Sequence, residues 1–159
     1  TEALQILMDD GDKIEYDIVT GWWKDTGTPE DIIHANKLVL DSIGTENQFL
    51  IDADAEIKDN IVVGNGTILD NNSIVIGPVI IGKNCTIGSG VKLGPYVSIG
   101  DNCTLKQCTI QDSIVMTDCL IDVKTEFELS IISHGSEITT SDISHKRQFL
   151  LGERSQTKL

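Results

Sequence analysis

The sequence predicts a mainly β protein, in which a parallel β-helix follows a short α+β segment. The strongest observation is an aliphatic residue at every sixth position: Ile51, Ile57, Val63, Leu69, Val75, Ile81, Ile87, Leu93, Ile99 and Leu105. The residue four positions after each of these is usually small, as in Ser73, Cys85 and Cys103. The residue three positions after is often one that tolerates a left-handed backbone: Asn60, Gly66, Asn72, Asn84, Gly90 and Asn102. A fixed period of this kind is the signature of a repeat architecture.

The first element is predicted to be a helix over residues 1–10, with Gly11 in the position that ends it. Residues 13–20 alternate weakly between apolar and polar side chains, which favours a strand. Gly21 should break that strand before the two tryptophans that follow.

A second helix is predicted to begin after Thr28, which can cap it, with Pro29 in the first helical position. The acidic residues Glu30 and Asp31 complement the helix dipole. This helix should run to about Asp41, and residues 42–47 should form a linker.

The repeat units that follow the linker should close a triangular turn of about 18 residues, because a single unit cannot bury its aliphatic residue alone. Beyond Leu105 the spacing shortens, and Ile110 and Val115 each come one residue early. The repeat then continues at spacings of five or six residues: Ile121, Phe127, Ile132 and Ile138. The β-helix is therefore expected to end near Ile143.

The units at residues 81–86, 87–92 and 99–104 resemble the hexapeptide repeat of left-handed β-helix proteins. The left hand is implied by that resemblance alone, since periodicity does not reveal handedness. The resemblance also implies self-association, and we expect a homo-oligomer, a trimer, built through the β-helix.

Residues 21–31, followed by Ala35 and Asn36, resemble the last conserved block of the sugar-1-phosphate nucleotidylyltransferase catalytic domain. Within that family the sequence is most similar to the long glucose-1-phosphate thymidylyltransferases, which carry a hexapeptide β-helix after the catalytic domain. The resemblance implies three parts. Residues 1–47 would be the end of the catalytic domain with a linker helix, residues 48–143 the left-handed β-helix and residues 144–159 a C-terminal tail.

The resemblance also implies roles for three residues of the Trp-x-Asp-Thr-Gly element. Asp25 matches the catalytic aspartate that holds Mg²⁺ together with a second carboxylate, while Trp23 and Gly27 match positions near the sugar. Local sequence alone leaves alternatives open. Asp25 could be a turn residue, and Trp23 could be a core or interface aromatic.

The implied reaction joins dTTP and glucose 1-phosphate to give dTDP-glucose and diphosphate, with Mg²⁺ as cofactor. The choice of base and sugar rests on the resemblance only. No segment of this chain matches the family's Gly-rich nucleotide loop, its basic residues or its first magnesium carboxylate. We therefore expect this chain alone to be inactive, as a C-terminal portion of a longer enzyme in which the β-helix serves assembly.

Two alternative functions remain open at this stage. A hexapeptide-repeat acyltransferase would need a histidine as general base. No histidine lies between Ile51 and Ile110, and the three in the chain are His34, His134 and His145. A purely structural trimerisation module would need no catalytic residue at all.

The composition of the chain argues against some classes of binding partner. A net charge of −13 and a pI near 4.4 argue against nucleic acid or an anionic membrane as a partner. No apolar stretch approaches the ~20 residues of a membrane span, and we expect a cytoplasmic protein.

The four cysteines include no C-x-x-C pair, which favours small buried thiols over a zinc site, although spacing leaves a Cys85–Cys103 disulfide open.

Overall fold

The structure is a computed structural model that describes residues 2–43, 56–139, 146–147, 150–151 and 156–158. These residues form two helices, α1 (Glu2–Asp9) and α2 (Pro29–Asp41), and a series of short strands. The strands are β1 (Glu56–Lys58), β2 (Ile61–Val63), β3 (Ile68–Leu69), β4 (Ile74–Ile76), β5 (Val79–Ile81), β6 (Thr86–Ile87), β7 (Lys92–Leu93), β8 (Val97–Ile99), β9 (Thr104–Lys106), β10 (Thr109–Gln111), β11 (Ile114–Val115), β12 (Leu120–Asp122), β13 (Glu126–Glu128), β14 (Ile131–Ile132), β15 (Glu137–Thr139), β16 (Lys146–Arg147), β17 (Leu150–Leu151) and β18 (Gln156–Lys158).

Every third strand joins the same sheet, which makes the molecule a parallel β-helix. Sheet A runs in the order β1-β4-β7-β10-β13-β16, sheet B in the order β2-β5-β8-β11-β14-β17, and sheet C in the order β3-β6-β9-β12-β15-β18. All pairs are parallel, and each inner strand of a sheet bonds to the strand one turn before it and to the strand one turn after it. The predicted fold class is confirmed.

The register of the sheets follows the spacing of the aliphatic residues. In the regular part Val75 pairs with Leu93, 18 residues further on. After the shortened units Leu93 pairs with Ile110 and Ile99 pairs with Val115, which are 17 and 16 residues apart. The turns that contain the shortened units therefore lose one or two residues at their corners, and the strands stay in register.

The core is a column of side chains inside the three sheets. Eight of the aliphatic residues that define the repeat are buried, from Val63 to Leu105, while Ile57 is partly buried and packs against the core. Ile51 lies outside the described residues. After the shortened units, the residue two before each aliphatic takes the small inward position: Cys108, Ser113, Cys119, Thr125, Ser130 and Ser136.

The corners are correctly predicted at five of six positions. Gly66, Asn72, Asn84, Gly90 and Asn102 all have positive φ, as a left-handed corner requires. The prediction is wrong at Asn60, because the left-handed residue is Asp59, with φ of 66°. The Asn60 carbonyl instead accepts a hydrogen bond from the Val79 N–H of the next turn, which ties it to the ladder.

Two further predictions concern the ends of the chain. Residues 13–20 form no strand and are exposed, because no segment within the described residues supplies the hydrogen-bonded neighbour that a strand needs. At the other end, β16, β17 and β18 each add a strand to one sheet. Parallel pairing thus continues past residue 143, where the repeat pattern in the sequence fades.

Both helices begin and end close to their predicted positions. Gly11, with φ of 83°, follows α1, which has no buried residue. The side chain of Thr28 caps α2, and Pro29 occupies its first position. Neither described helix is long and apolar enough to cross a membrane.

Candidate functional site

The three residues of the predicted site lie together in one exposed loop that leads into α2. Trp23, Asp25 and Gly27 are all exposed, and the Trp23 side chain is 74% accessible. A Cβ placed on Gly27 would lie 3.7 Å from the Oδ1 atom of Asp25, so the carboxylate lies close to this glycine. The structure therefore brings the three residues together on one short segment.

The loop is attached to the first turn of α2 by the residues between these three. The Lys24 ammonium donates to the Asp31 carboxylate, and both side chains are about three-quarters shielded from solvent. Thr28 donates its hydroxyl hydrogen to Asp31 Oδ2 at 2.7 Å and accepts a bond from the Asp31 N–H at 3.2 Å. The bonds from Lys24 and Thr28 hold the pKa of Asp31 below its usual value.

Asp25 is left with its carboxylate available. Among the described residues it makes no hydrogen bond or ion pair, in contrast to the neighbouring Asp31. An exposed carboxylate without partners can bind a hard cation.

The fit of Mg²⁺ to this loop follows from the number of ligands. Within the described ranges no group of three or more His, Cys, Asp or Glu side chains could hold a metal ion. Mg²⁺ in phosphate-processing sites is held by one or two carboxylates, with phosphates and water completing its shell. Asp25 by itself is therefore not a metal site within the described residues.

The aromatic residue of the loop belongs to a wider exposed apolar surface. Trp22 and Trp23 are exposed, as are Tyr16, Ile18 and Val19, which have accessible fractions of 86, 80 and 65%. Soluble proteins seldom leave so many large apolar side chains uncovered in one segment. Residues 2–23 therefore form an exposed apolar surface.

The acyltransferase alternative requires a catalytic histidine, and the two described histidines lie at a corner of the β-helix and on α2. His134 lies at a corner of the β-helix, with Nδ1 2.7 Å from Thr117 Oγ1 and 3.3 Å from Asp118 Oδ2. His34 is exposed on α2, and His145 lies outside the described residues. The contacts of His134 with Thr117 and Asp118 therefore join neighbouring corners of the β-helix.

The cysteines are buried and unpaired, as the sequence predicts. Cys85, Cys103, Cys108 and Cys119 are free thiols, so no Cys85–Cys103 disulfide is present. The neighbouring thiols of Cys119 and Cys85, together with burial, raise the pKa of the Cys103 thiol. Burial raises the pKa of Cys108 to about 12. The side chains of Cys103 and Cys108 therefore contribute to packing and stay protonated at neutral pH.

Sequence reasoning missed the residues that fasten α2 at both ends. Lys24 and Asp31 are seven positions apart, across a loop, and no local spacing rule pairs them. The contacts of Asn36 and Lys37 with the β-helix join residues 60 or more positions apart. No signal in a single sequence reveals such pairs.

Comparison with known proteins places the β-helix in a family. The GMPPB C-terminal domain family matches residues 75–158, which is more than half of the chain. The chain belongs to this family. Since the matched region starts within sheet A, the GMPPB C-terminal domain corresponds here to most of the β-helix and its last strands.

One relative extends the match to the loop and α2, and two others match a shorter part of the chain. The low-salt glycan biosynthesis nucleotidyltransferase Agl11 of Haloferax volcanii is 40% identical over 161 residues, covering 100% of this chain and 45% of that protein. Glucose-1-phosphate thymidylyltransferases of Streptomyces griseus and Streptomyces antibioticus are 33 and 35% identical over 57 and 52 residues. Those two matches cover 36 and 33% of this chain and 16 and 15% of those proteins. The resemblance to sugar-1-phosphate nucleotidylyltransferases is thereby confirmed, and the chain spans less than half of these relatives.

Proposed function

We propose that the full-length protein is a sugar-1-phosphate nucleotidylyltransferase that joins dTTP and glucose 1-phosphate into dTDP-glucose and diphosphate. The observation that carries the proposal is the 40% identity to the nucleotidyltransferase Agl11, which extends over the whole chain and includes the loop of Asp25. The thymidylyltransferases of the two Streptomyces species support the choice of base and sugar. This chain supplies the last segment of the catalytic domain and the C-terminal β-helix.

In this proposal Asp25 is a catalytic carboxylate and one ligand of Mg²⁺. The bound cation would neutralise phosphate charge while a sugar phosphate oxygen attacks the α-phosphorus of the nucleotide. Asp25 suits this role because it is exposed, without partners among the described residues, and held on a loop fastened to α2. Its neighbours Trp23 and Gly27 would contact the sugar, with the indole ring providing an apolar face and the glycine leaving room beside the carboxylate.

The exposed surface formed by residues 2–23 supports the same proposal. In the full-length enzyme these side chains would be covered by the remainder of the catalytic domain, which would also supply the strand partner that residues 13–20 lack. We place the enzyme in the cytoplasm, where four free thiols remain reduced. Its partners are a nucleoside triphosphate and a sugar 1-phosphate, and the net charge of −13 speaks against nucleic acid.

The test is release of diphosphate from dTTP and glucose 1-phosphate. The full-length protein should turn over with Mg²⁺ present, whereas residues 1–159 alone should not. Asp25→Asn in the full-length enzyme should lower kcat by about 10²-fold or more, because the amide removes a charged metal ligand and keeps the shape.

A matched control is Asp70→Asn, which changes an exposed aspartate on the β-helix, outside the loop of Asp25. Unchanged kinetics in Asp25→Asn would show that Asp25 is a turn residue without a role in catalysis. Turnover with another nucleotide or sugar phosphate, and none with dTTP and glucose 1-phosphate, would correct the substrates and keep the reaction class.

A further inference from the structure

Helix α2 rests against the outer face of sheet B. The Asn36 amide group donates to the Tyr96 carbonyl at 3.4 Å, and its Oδ1 atom accepts a bond from Ser98 Oγ at 2.6 Å. Ile33 and Leu40 of α2 are buried. The helix is therefore fixed to the β-helix by polar contacts, and two of its apolar side chains are shielded from solvent.

A charge pair adds to this contact near the corner that precedes β11. The Lys37 ammonium lies 2.6 Å from Asp112 Oδ1, and the two side chains are 34 and 20% exposed. The same ammonium lies 5.3 Å from the centroid of the Tyr96 ring. A half-buried pair that also contacts an aromatic face restrains the helix more firmly than an exposed surface pair would.

Tyr96 is the residue on the β-helix that most of these contacts share. Its backbone is left-handed, with φ of 59°, a conformation that is strained for a bulky residue. The Tyr96 N–H donates to the Pro78 carbonyl at 2.9 Å. A hydrogen bond between its hydroxyl and Asp41 raises the pKa of Tyr96. A strained residue held from several sides is a site where the surrounding structure imposes one geometry.

The other end of α2 carries the loop of Asp25. Lys24 and Thr28 both bond to Asp31 in the first turn of the helix, on either side of Asp25. The contacts of Asn36, Lys37 and Asp41 lie further along the same 13-residue helix. A single helix therefore connects the corner at Tyr96 with the loop at Asp25.

We propose that α2 is a rigid bracket through which the β-helix positions Asp25, with Lys37, Tyr96 and Asp112 as the positioning residues. The proposal rests on the function proposed above, in which Asp25 binds Mg²⁺. It assigns the β-helix a role in catalysis that assembly alone would not require. Substitutions at Lys37, Tyr96 or Asp112 should therefore weaken metal binding at Asp25, although none of these residues lies in the loop of Asp25.

The test compares Lys37→Met with Lys92→Met in the full-length protein, since Lys92 is exposed on the outer face of sheet A. The Mg²⁺ concentration that gives half-maximal turnover should rise about tenfold in Lys37→Met and stay unchanged in Lys92→Met. Lys37→Arg should restore the wild-type value, because a guanidinium can pair with Asp112 and stack on Tyr96. Tyr96→Phe, which removes only the hydroxyl, should give a smaller rise.

Partial unfolding raises the half-saturating Mg²⁺ concentration only in inverse proportion to the folded fraction. A tenfold rise in a variant that circular dichroism shows to be at least about nine-tenths folded therefore cannot come from a loss of stability. Amide hydrogen exchange over residues 24–32, measured without substrate, gives a second readout and should be faster in Lys37→Met. The proposal is overturned if Lys37→Met matches Lys92→Met in either measurement. If the wild-type full-length protein shows no turnover, the proposed function fails instead, and the exchange rates alone decide whether α2 is a bracket.

Discussion

At the scale of single residues, the small inward position ahead of sheet C has a chemical pattern of its own. Its occupants all carry a hydroxyl or a thiol: Thr67, Cys85, Cys103, Cys119 and Ser136. Cys85 Sγ donates to the Gly100 carbonyl at 3.1 Å, and Cys103 Sγ donates to the Met116 carbonyl at 3.0 Å, each in the next turn. Thr67 Oγ1 donates to the Gly82 carbonyl in the same way. Cys85, Cys103 and Cys119 therefore occupy a position in which the side chain donates a hydrogen bond to the next turn.

Substitutions at Cys103 should separate donation from packing. Cys103→Ser keeps a donor for the Met116 carbonyl and should change the free energy of unfolding by less than about 1 kcal/mol. Cys103→Ala removes that donor and opens a small void, and it should cost about 2 kcal/mol or more. Urea denaturation followed by circular dichroism measures both values. Equal losses for the two variants would show that the sulfur is needed for its volume alone.

At the scale of the secondary-structure element, two glycine corners of similar backbone geometry differ in their surroundings. Gly94 and Gly90 have φ of 95 and 80°. A Cβ on Gly94 would lie 1.7 Å from the Ile76 carbonyl oxygen, whereas a Cβ on Gly90 would meet no atom within 4 Å. The close approach at Gly94 arises because the corner crosses directly over the preceding turn.

Alanine at these two corners gives a matched pair of variants. Gly90→Ala should cost about 1–2 kcal/mol, because only the left-handed backbone is penalised. Gly94→Ala should cost about 3 kcal/mol or more, because the backbone of Ile76 has to move as well. Thermal unfolding of the two variants measures the difference. A Gly94→Ala protein as stable as Gly90→Ala would mean that the turns slide past each other more easily than the contacts indicate.

At the scale of the whole molecule, the β-helix offers surfaces for assembly. Helix α2 covers part of sheet B, and the outer faces of sheets A and C carry exposed residues such as Ile68 and Ile76. A regular three-sided solenoid of this kind can pack against copies of itself around a symmetry axis. We propose a homo-oligomer, a trimer, formed through the β-helix.

Sedimentation equilibrium at micromolar concentration should give a mass of three times 17.3 kDa for this chain. Removal of residues 144–159 should weaken the association if the last strands contribute to the interface. A single species of 17.3 kDa would exclude self-assembly by the β-helix. A dimer or tetramer would retain self-assembly and correct the symmetry.

Several features of the fold and the candidate site could be predicted from the sequence, for a definite physical reason. Each turn of a β-helix repeats the same environment, so the need for an inward aliphatic, a small neighbour and a left-handed corner recurs at a fixed spacing. The spacing alone places Val75 and Leu93 in the core and Asn84 at a corner, and all three positions are confirmed. The cap of α2 at Thr28 is equally local, because its bonds involve residues within one helical turn.

The sequence by itself thus determined the β-helix, the position of α2 and the residues of the loop at Asp25. Only the tertiary structure decided that residues 13–20 are not a strand here, that Asp59 rather than Asn60 is the corner, and that Lys37 pairs with Asp112. These outcomes depend on a neighbour in space: a partner strand, the next turn of the solenoid, or a residue 75 positions away. The periodic pattern arises because every turn repeats the same environment, so a single sequence reveals it. Contacts between distant residues depend instead on which of them lies beside a given side chain, and the spacing along the chain does not reveal that.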